Sequence, residues 1–431
     1  MAYAGNDMVP SRIVIINDRS IAAGGATALA LLSARLFSEA GIRVTYATGD
    51  DGSQAQLPSS VDLNALGGKP LLQRGFASQV REGLYNSTAR RFLEDTIAKL
   101  DAPDVVYHLH GWAQILSPSV FSPLSKVSDR LVVHAHDFFM ACPNGAFFDF
   151  SRHDVCHRSP MSAGCLSARC DKRSTAQKAF RVARHFVRQR TFPAGQSPAA
   201  IVLIHPAMAP LLEKSDLVRD RMRVVRNPAR AFLPTRVAAE QNSDIFFIGR
   251  VTQEKGLRVA AEAAQLAGRR LRVIGDGPDR AQLAADFPEI VWDGWLDHSV
   301  IAERIGTARA LVMPSSLPEP FGLVAVEALQ SGVPLIAFSD AMIAQEAESL
   351  GCAILAAERT PQVLAEAMRR LDDDGAVQEA SERAYKFSPR LTCTQDEWRD
   401  RLLDLYSDLL VQAERTHVRQ PNARPSPAFV R

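Results

Sequence analysis

No run of apolar residues in this 431-residue sequence reaches the roughly 18–20 that a bilayer-spanning helix needs. The opening stretch, MAYAGNDMVPSRIVIIND, lacks a positive segment followed by an apolar one, so it does not read as a secretory signal. Together these point to a cytoplasmic protein whose thiols stay reduced. An excess of one charge is missing too. Lys and Arg number 50 against 48 Asp and Glu, a net charge of +2, without the basic bias of a nucleic-acid binder. The six cysteines include no C-x2-C pair. A complete G-x-G-x-x-G fingerprint is absent as well. After Ile274–Pro278 (IGDGP), Arg280 stands where the last glycine would fall, which argues against a dinucleotide-dependent dehydrogenase.

What is present is an alternation of short β-branched runs with Ala-rich helical stretches. Ile13–Ile16, Val44–Ala47, Val105–Leu109, Leu131–Ala135 and Ala200–Ile204 read as strands of one half. Ile245–Ile248, Leu271–Ile274, Val291–Trp292, Ala310–Met313 and Pro334–Ala337 read as strands of another. Strands alternating with helices imply βαβ units and parallel sheets covered on both faces. The expected organisation is an α/β domain over residues 1–230, with an irregular insertion at about 140–200, and a second over 231–395. An amphipathic helix follows at 396–412, with Trp398, Leu402, Leu405 and Leu409 on one face, then a disordered tail at 413–431. Ligands of such folds bind beyond the carboxyl ends of the strands, so the cleft between the halves is the expected site.

Two stretches carry its chemistry. In Pro314–Ala337 a strand ends, a loop with Glu319 and Pro320 follows, and a helix begins near Phe321 or Gly322. The unpaired N–H groups of such a helix start favour a pyrophosphate or a sugar hydroxyl. Glu327 lies about two turns into a helix otherwise apolar nearly all round, where a lone carboxylate needs a reason. In Phe246–Leu257 a strand runs into Gly249, Arg250 and then Lys255 at the next helix start. Two cations there can neutralise a diphosphate and its leaving charge without a metal.

EPFGLVAVEAL resembles the E-x7-E motif of retaining glycosyltransferase family 4, and GRVTQEKG resembles its G-R-x-x-x-x-K-G element. IGDGP and DGWLD (Asp293–Asp297) resemble its next two strand ends, in matching order across residues 244–337. The resemblance implies a GT-B fold: two Rossmann-like domains facing across a cleft, and a C-terminal helix crossing back to the first. It further implies transfer of a sugar from a nucleotide-diphosphate sugar with retention, with no cofactor and no divalent metal required. No D-x-D motif in strand context appears, in agreement. Arg250 and Lys255 would bind the diphosphate, Glu319 the hydroxyls of the transferred sugar, and Glu327 the ribose. Backbone at Gly249, Phe321, Gly322 and Leu323 would line the donor, with Gly277 and Trp292 near the base. In the first half Gly24 and Gly25 resemble the family's glycine-rich loop, and His136 of the HAHD run its sugar-contacting histidine. The loop FSDAMIAQEAESLGCAIL departs from the pattern: it has no Gly-Gly turn, and Glu346 is a loose match. The acceptor implied is a glycan or a polyprenyl-linked oligosaccharide, in surface polysaccharide synthesis by analogy. The alternatives are a non-catalytic nucleotide-sugar binder, or a phosphorylase or epimerase on the same architecture.

Two features stand outside this reading. Cys142, Cys156, Cys165 and Cys170 fall close together and could hold a structural zinc, or could be free or half-buried thiols in an irregular insertion. Residues 171–190 carry seven Lys or Arg on an amphipathic pattern. That segment could rest on an anionic membrane surface, or pack on its own domain.

Overall fold

The computed structural model describes residues 8–22, 24–192 and 196–419. The first sheet is built from β1 (Arg12–Asn17), β2 (Arg43–Thr48), β3 (Val61–Ala65), β4 (Val105–Leu109) and β5 (Leu131–Ala135). After a small hairpin, β6 (Phe148–Asp149) and β7 (Asp154–Val155), it is completed by β8 (Ala200–Leu203) and β9 (Met222–Val224). Its order is β3-β2-β1-β4-β5-β8-β9, all parallel. The second sheet holds β10 (Asp244–Ile248), β11 (Leu271–Ile274), β12 (Val291–Gly294), β13 (Ala308–Met313), β14 (Leu335–Phe338) and β15 (Ala353–Ala356). Its order is β12-β11-β10-β13-β14-β15, again parallel. Both therefore carry the 3-2-1-4-5 order of a dinucleotide-type half, reversing beside β1 and beside β10. This is the two-domain GT-B architecture that the sequence leads one to expect.

The central strands are mostly apolar because helices cover both faces; β4 and β5 are buried at every position, His108 and His134 included. Besides the small β6–β7 hairpin, the strands absent from the sequence reading, β3, β9 and β15, are all edges of the two large sheets. β3 (VDLNA) and β9 (MRV) are mostly exposed and show no continuous apolar run, whereas β15 (AILA) is apolar but only four residues long.

The last helix, Gln395–Arg419, begins with a reciprocal cap. Thr394 Oγ1 accepts from the Glu397 N–H at 3.2 Å, and Glu397 Oε2 accepts from the Thr394 N–H at 2.9 Å. It lays Trp398, Leu402, Leu405, Tyr406 and Leu409 against Ile13, Ile15 and Phe37 of the first domain. It runs to Arg419 instead of ending at 412, so 413–419 are helix and not tail; 420–431 lie outside the described residues. On its way back the chain pairs Cys393 with Pro228 of the outgoing linker.

The basic helix, Thr175–Thr191, turns its charges inward. Arg181 donates to Asn144 O at 3.0 Å, Arg184 to Ala113 O at 2.9 Å and Arg188 to Asp216 at 2.7 Å, while Lys178 is buried. The cationic stripe is thus largely committed to its own domain. No helix among the described residues is long and apolar enough to cross a membrane.

Candidate functional site

A cavity of about 500 Å³ lies between the sheets, lined by loops that follow β1, β5, β10 and β13. From the first domain it takes Gly24, Gly25, His136 and Asp137; from the second, Gly249, Arg250, Lys255, Glu319, Phe321, Gly322 and Leu323. Two helix starts meet here. The helix Gly25–Glu39 follows Gly24, and the helix Leu323–Gln330 follows Gly322, and neither has a side-chain cap. The N–H groups of Gly25, Ala26, Leu323 and Val324 have no protein acceptor among the described residues. Both helices thus present partial positive charge to one space. A Cβ at Gly25 would stand 3.4 Å from Leu323 Cδ1, which measures how closely the two walls approach.

Glycine is required at two points of this wall. Gly322 has φ +66°, a left-handed turn that redirects the chain into the helix. Gly256 has φ +71°, and a Cβ there would stand 1.9 Å from Pro314 O. That contact locks the loop carrying Lys255 to the loop carrying Glu319. Lys255 Nζ and Glu319 Oε2 are consequently 2.6 Å apart. The sequence reading sends these two side chains to different parts of a ligand; in the structure they hold each other. Arg250 is exposed into the cavity and has no ion-pair or hydrogen-bond partner among the described residues, leaving a guanidinium free for an anion.

His136 Nε2 lies 2.9 Å from His110 Nδ1, and its ring stacks on His134 at 4.2 Å. The array continues from His134 Nδ1 to His108 Nε2 at 3.3 Å and from His108 Nδ1 to Tyr406 Oη of the last helix at 2.6 Å. Burial pushes His136 down to about 3, so it enters the cleft neutral. His110, Asp137 and the link to Tyr406 were missed in the sequence. The repeated H-x-H of HLHG and HAHD was the available signal, since i and i+2 on two neighbouring strands share a face.

Glu327, Gly277 and Trp292 do not line the cavity. A Cβ at Gly277 would stand 2.2 Å from Val251 O, so this glycine serves backbone packing. Trp292 lies under the Arg280 guanidinium, 5.7 Å from its ring centre. Glu346 does not line it either. It joins the domains, 2.8 Å from Arg226 Nη2 and 3.0 Å from His205 Nε2.

Glu327 lies 3.7 Å from His298 Nε2, and burial pushes its carboxyl up from 4.5 to about 7. Between those values the unfolded chain has lost the proton that the folded chain keeps, so folding weakens as pH rises through this window. Glu327→Gln cannot ionise. It is expected to exceed the wild type in stability at about pH 8 by on the order of 1–3 kcal/mol, and to match it near pH 4. Urea unfolding at the two pH values checks this; an equal difference at both would remove the buried ionisation.

Residues 242–374 match the family model described as glycosyl transferases group 1. Over 281 residues the chain is 28% identical to a glycogen synthase of Mycobacterium tuberculosis, an alignment covering 62% of this chain and 65% of that protein. It is 35% identical to a 2-deoxystreptamine glucosyltransferase of Streptomyces kanamyceticus over 143 residues, covering 31% of this chain and 37% of that one. The chain thus spans just under two thirds of the first of these relatives and a smaller part of the second. By fold, it superposes on a sucrose-phosphate synthase from Thermosynechococcus elongatus with a TM-score of 0.69 at 15% identity, covering 93% of this chain and 99% of that one. The protein HepE of Anabaena, solved with UDP, gives 0.62 at 14% identity, covering 92% and 100%. Residues 242–374 are accordingly similar to the glycosyl transferases group 1 family, and they lie in one half of a GT-B fold.

Proposed function

We propose that the chain is a retaining, metal-independent glycosyltransferase that takes a sugar from a nucleotide-diphosphate donor. The observation that carries this is the convergence, in one interdomain cleft, of two uncapped helix starts with Arg250 and Lys255. Such a set fits a diphosphate and the charge that builds on it as the sugar leaves. The names of the sequence relatives and the UDP held by HepE support the same donor class.

In this mechanism Arg250, Lys255 and the helix starts stabilise the departing β-phosphate. Glu319 holds Lys255 in place and contacts the sugar hydroxyls. His136, neutral, offers a hydrogen bond to the sugar from the opposite wall. The acceptor hydroxyl attacks from the face that the diphosphate leaves, and the phosphate takes its proton, so no separate base is assigned. The acceptor is a glycan or a polyprenyl-linked oligosaccharide, in polysaccharide assembly. Binding at the inner face of a membrane would then use surfaces other than the inward-facing cations of Thr175–Thr191.

A thermal shift of the full chain with UDP, GDP and ADP tests the donor site. A ligand that binds only the folded state stabilises it by about 2.7 kcal/mol at 100 times its Kd. One nucleotide is expected to raise the melting temperature equally with and without EDTA. No rise with any of the three would overturn the reading.

A further inference from the structure

The segment between β5 and the helix Thr175–Thr191 has little regular structure to hold it. Its hairpin strands are two residues each and its one helix, Ala163–Ser167, has five. Phe147, His153 and Met161 all take positive φ, unusual for side chains of their size. Segments of this kind need a staple beyond their apolar core. Four of the six cysteines lie in it, all buried and none in a disulfide.

Their polar surroundings differ from those of the other two. Cys352 Sγ donates to Ala347 O and Cys393 Sγ to Arg226 O, each at 3.1 Å, as buried thiols do. Three of the clustered sulfurs face N–H groups. Arg158 Nη1 points at Cys156 Sγ from 3.6 Å. Lys178 Nζ lies 3.1 Å from Cys170 Sγ and 3.6 Å from Cys165 Sγ, and Asn144 Nδ2 is 3.6 Å from Cys170 Sγ. Cys142 Sγ instead donates to Asn144 Oδ1 at 3.1 Å. Lys178 is 3% exposed, and no carboxylate pairs with it among the described residues. The Lys178 ammonium therefore has the sulfurs of Cys165 and Cys170 as its partners among the described residues.

We propose that Cys142, Cys156, Cys165 and Cys170 bind a structural zinc ion as a tetrathiolate, with Lys178 offsetting part of its charge. On binding, the four thiol protons leave to solvent as the Zn–S bonds form. Four thiolates around a divalent ion leave a double negative charge, part of which the Lys178 ammonium offsets; Arg158, beside Cys156, is already paired with Asp149 at 2.8 Å. Lys178 Nζ stands between the sulfurs of Cys165 and Cys170, and no three of the four sulfurs lie within 4.8 Å of one another among the described residues. The ion draws them to about 2.3 Å from itself and displaces the ammonium outward. His108, His110 and His134 do bring nitrogens within 4.8 Å, but these rings already bond to one another, to His136 and to Tyr406. The centre would also brace the donor side of the cleft. Lys172, two residues after Cys170, lies 2.5 Å from Glu254 in the loop that carries Lys255.

Elemental analysis of the full chain, expressed with zinc and dialysed, tests this. A single zinc per chain is expected, released in step with mercurial blocking of the cysteines, and absent from Cys165→Ser/Cys170→Ser. The mercurial titration of the wild type decides the matter even if that variant fails to fold. Cobalt in place of zinc should give the absorption bands of a tetrahedral thiolate centre. Wild type without metal would overturn the proposal. So would zinc that survives the double substitution but is lost in His110→Asn, or fewer than six free thiols in denaturant without reductant.

Discussion

Replacing Lys255 by alanine is expected to lower kcat for sugar transfer by roughly 10²–10³-fold, the usual loss when a preorganised donor to developing charge is removed. The expectation rests on placement. The Gly256–Pro314 contact holds the Lys255 loop against the loop after β13, and Glu319 fixes the ammonium at 2.6 Å. The charge is therefore in position before the phosphate becomes more negative, which separates a catalytic cation from a surface lysine. Stability should hardly change. The pair is half-buried, and such exposed pairs contribute about 0–1 kcal/mol. Steady-state kinetics beside a melting curve checks both parts. Unchanged kcat with intact folding would remove Lys255 from the donor site, and Glu319→Gln should fall in the same direction because Lys255 loses its tether.

Trp398→Ala is expected to cost about 3–5 kcal/mol of stability. Trp398 is fully buried where the returning helix meets the first sheet, beside Leu402 and Tyr406. Truncation leaves a cavity that the paired segments at Pro228 and Cys393 resist closing. A urea midpoint measures it; a loss below about 1 kcal/mol would mean that the helix is not held by this side chain. Tyr406→Phe is the milder partner, expected near 1 kcal/mol, because it deletes only the hydroxyl bonded to His108.

The two halves were legible from periodicity because central parallel strands are mainly apolar, and Val105–Leu109 and Leu131–Ala135 lie where the sequence places them. The GRVTQEKG and EPFGLVAVEAL segments were legible because glycines beside charged residues at strand ends mark places where backbone meets ligand. Neighbour relations were not. The Lys255–Glu319 pair joins residues 64 positions apart, and Tyr406 reaches His108 across 298. Nothing in local composition encodes such distances.

The sequence by itself determined two βαβ halves, the loops that end their strands, and the residue types that suit a diphosphate. Those follow from local pattern and from the chemistry of each side chain. Only the tertiary structure decided which charges remain free. It left Arg250 open to the cleft and paired Lys255 with Glu319. It turned Arg181, Arg184 and Arg188 inward, buried Glu327 beside His298, and set Lys178 among sulfurs. The physical reason is that a charge acquires its role from the partners and the desolvation that folding imposes, and both are set by chain segments far away in sequence.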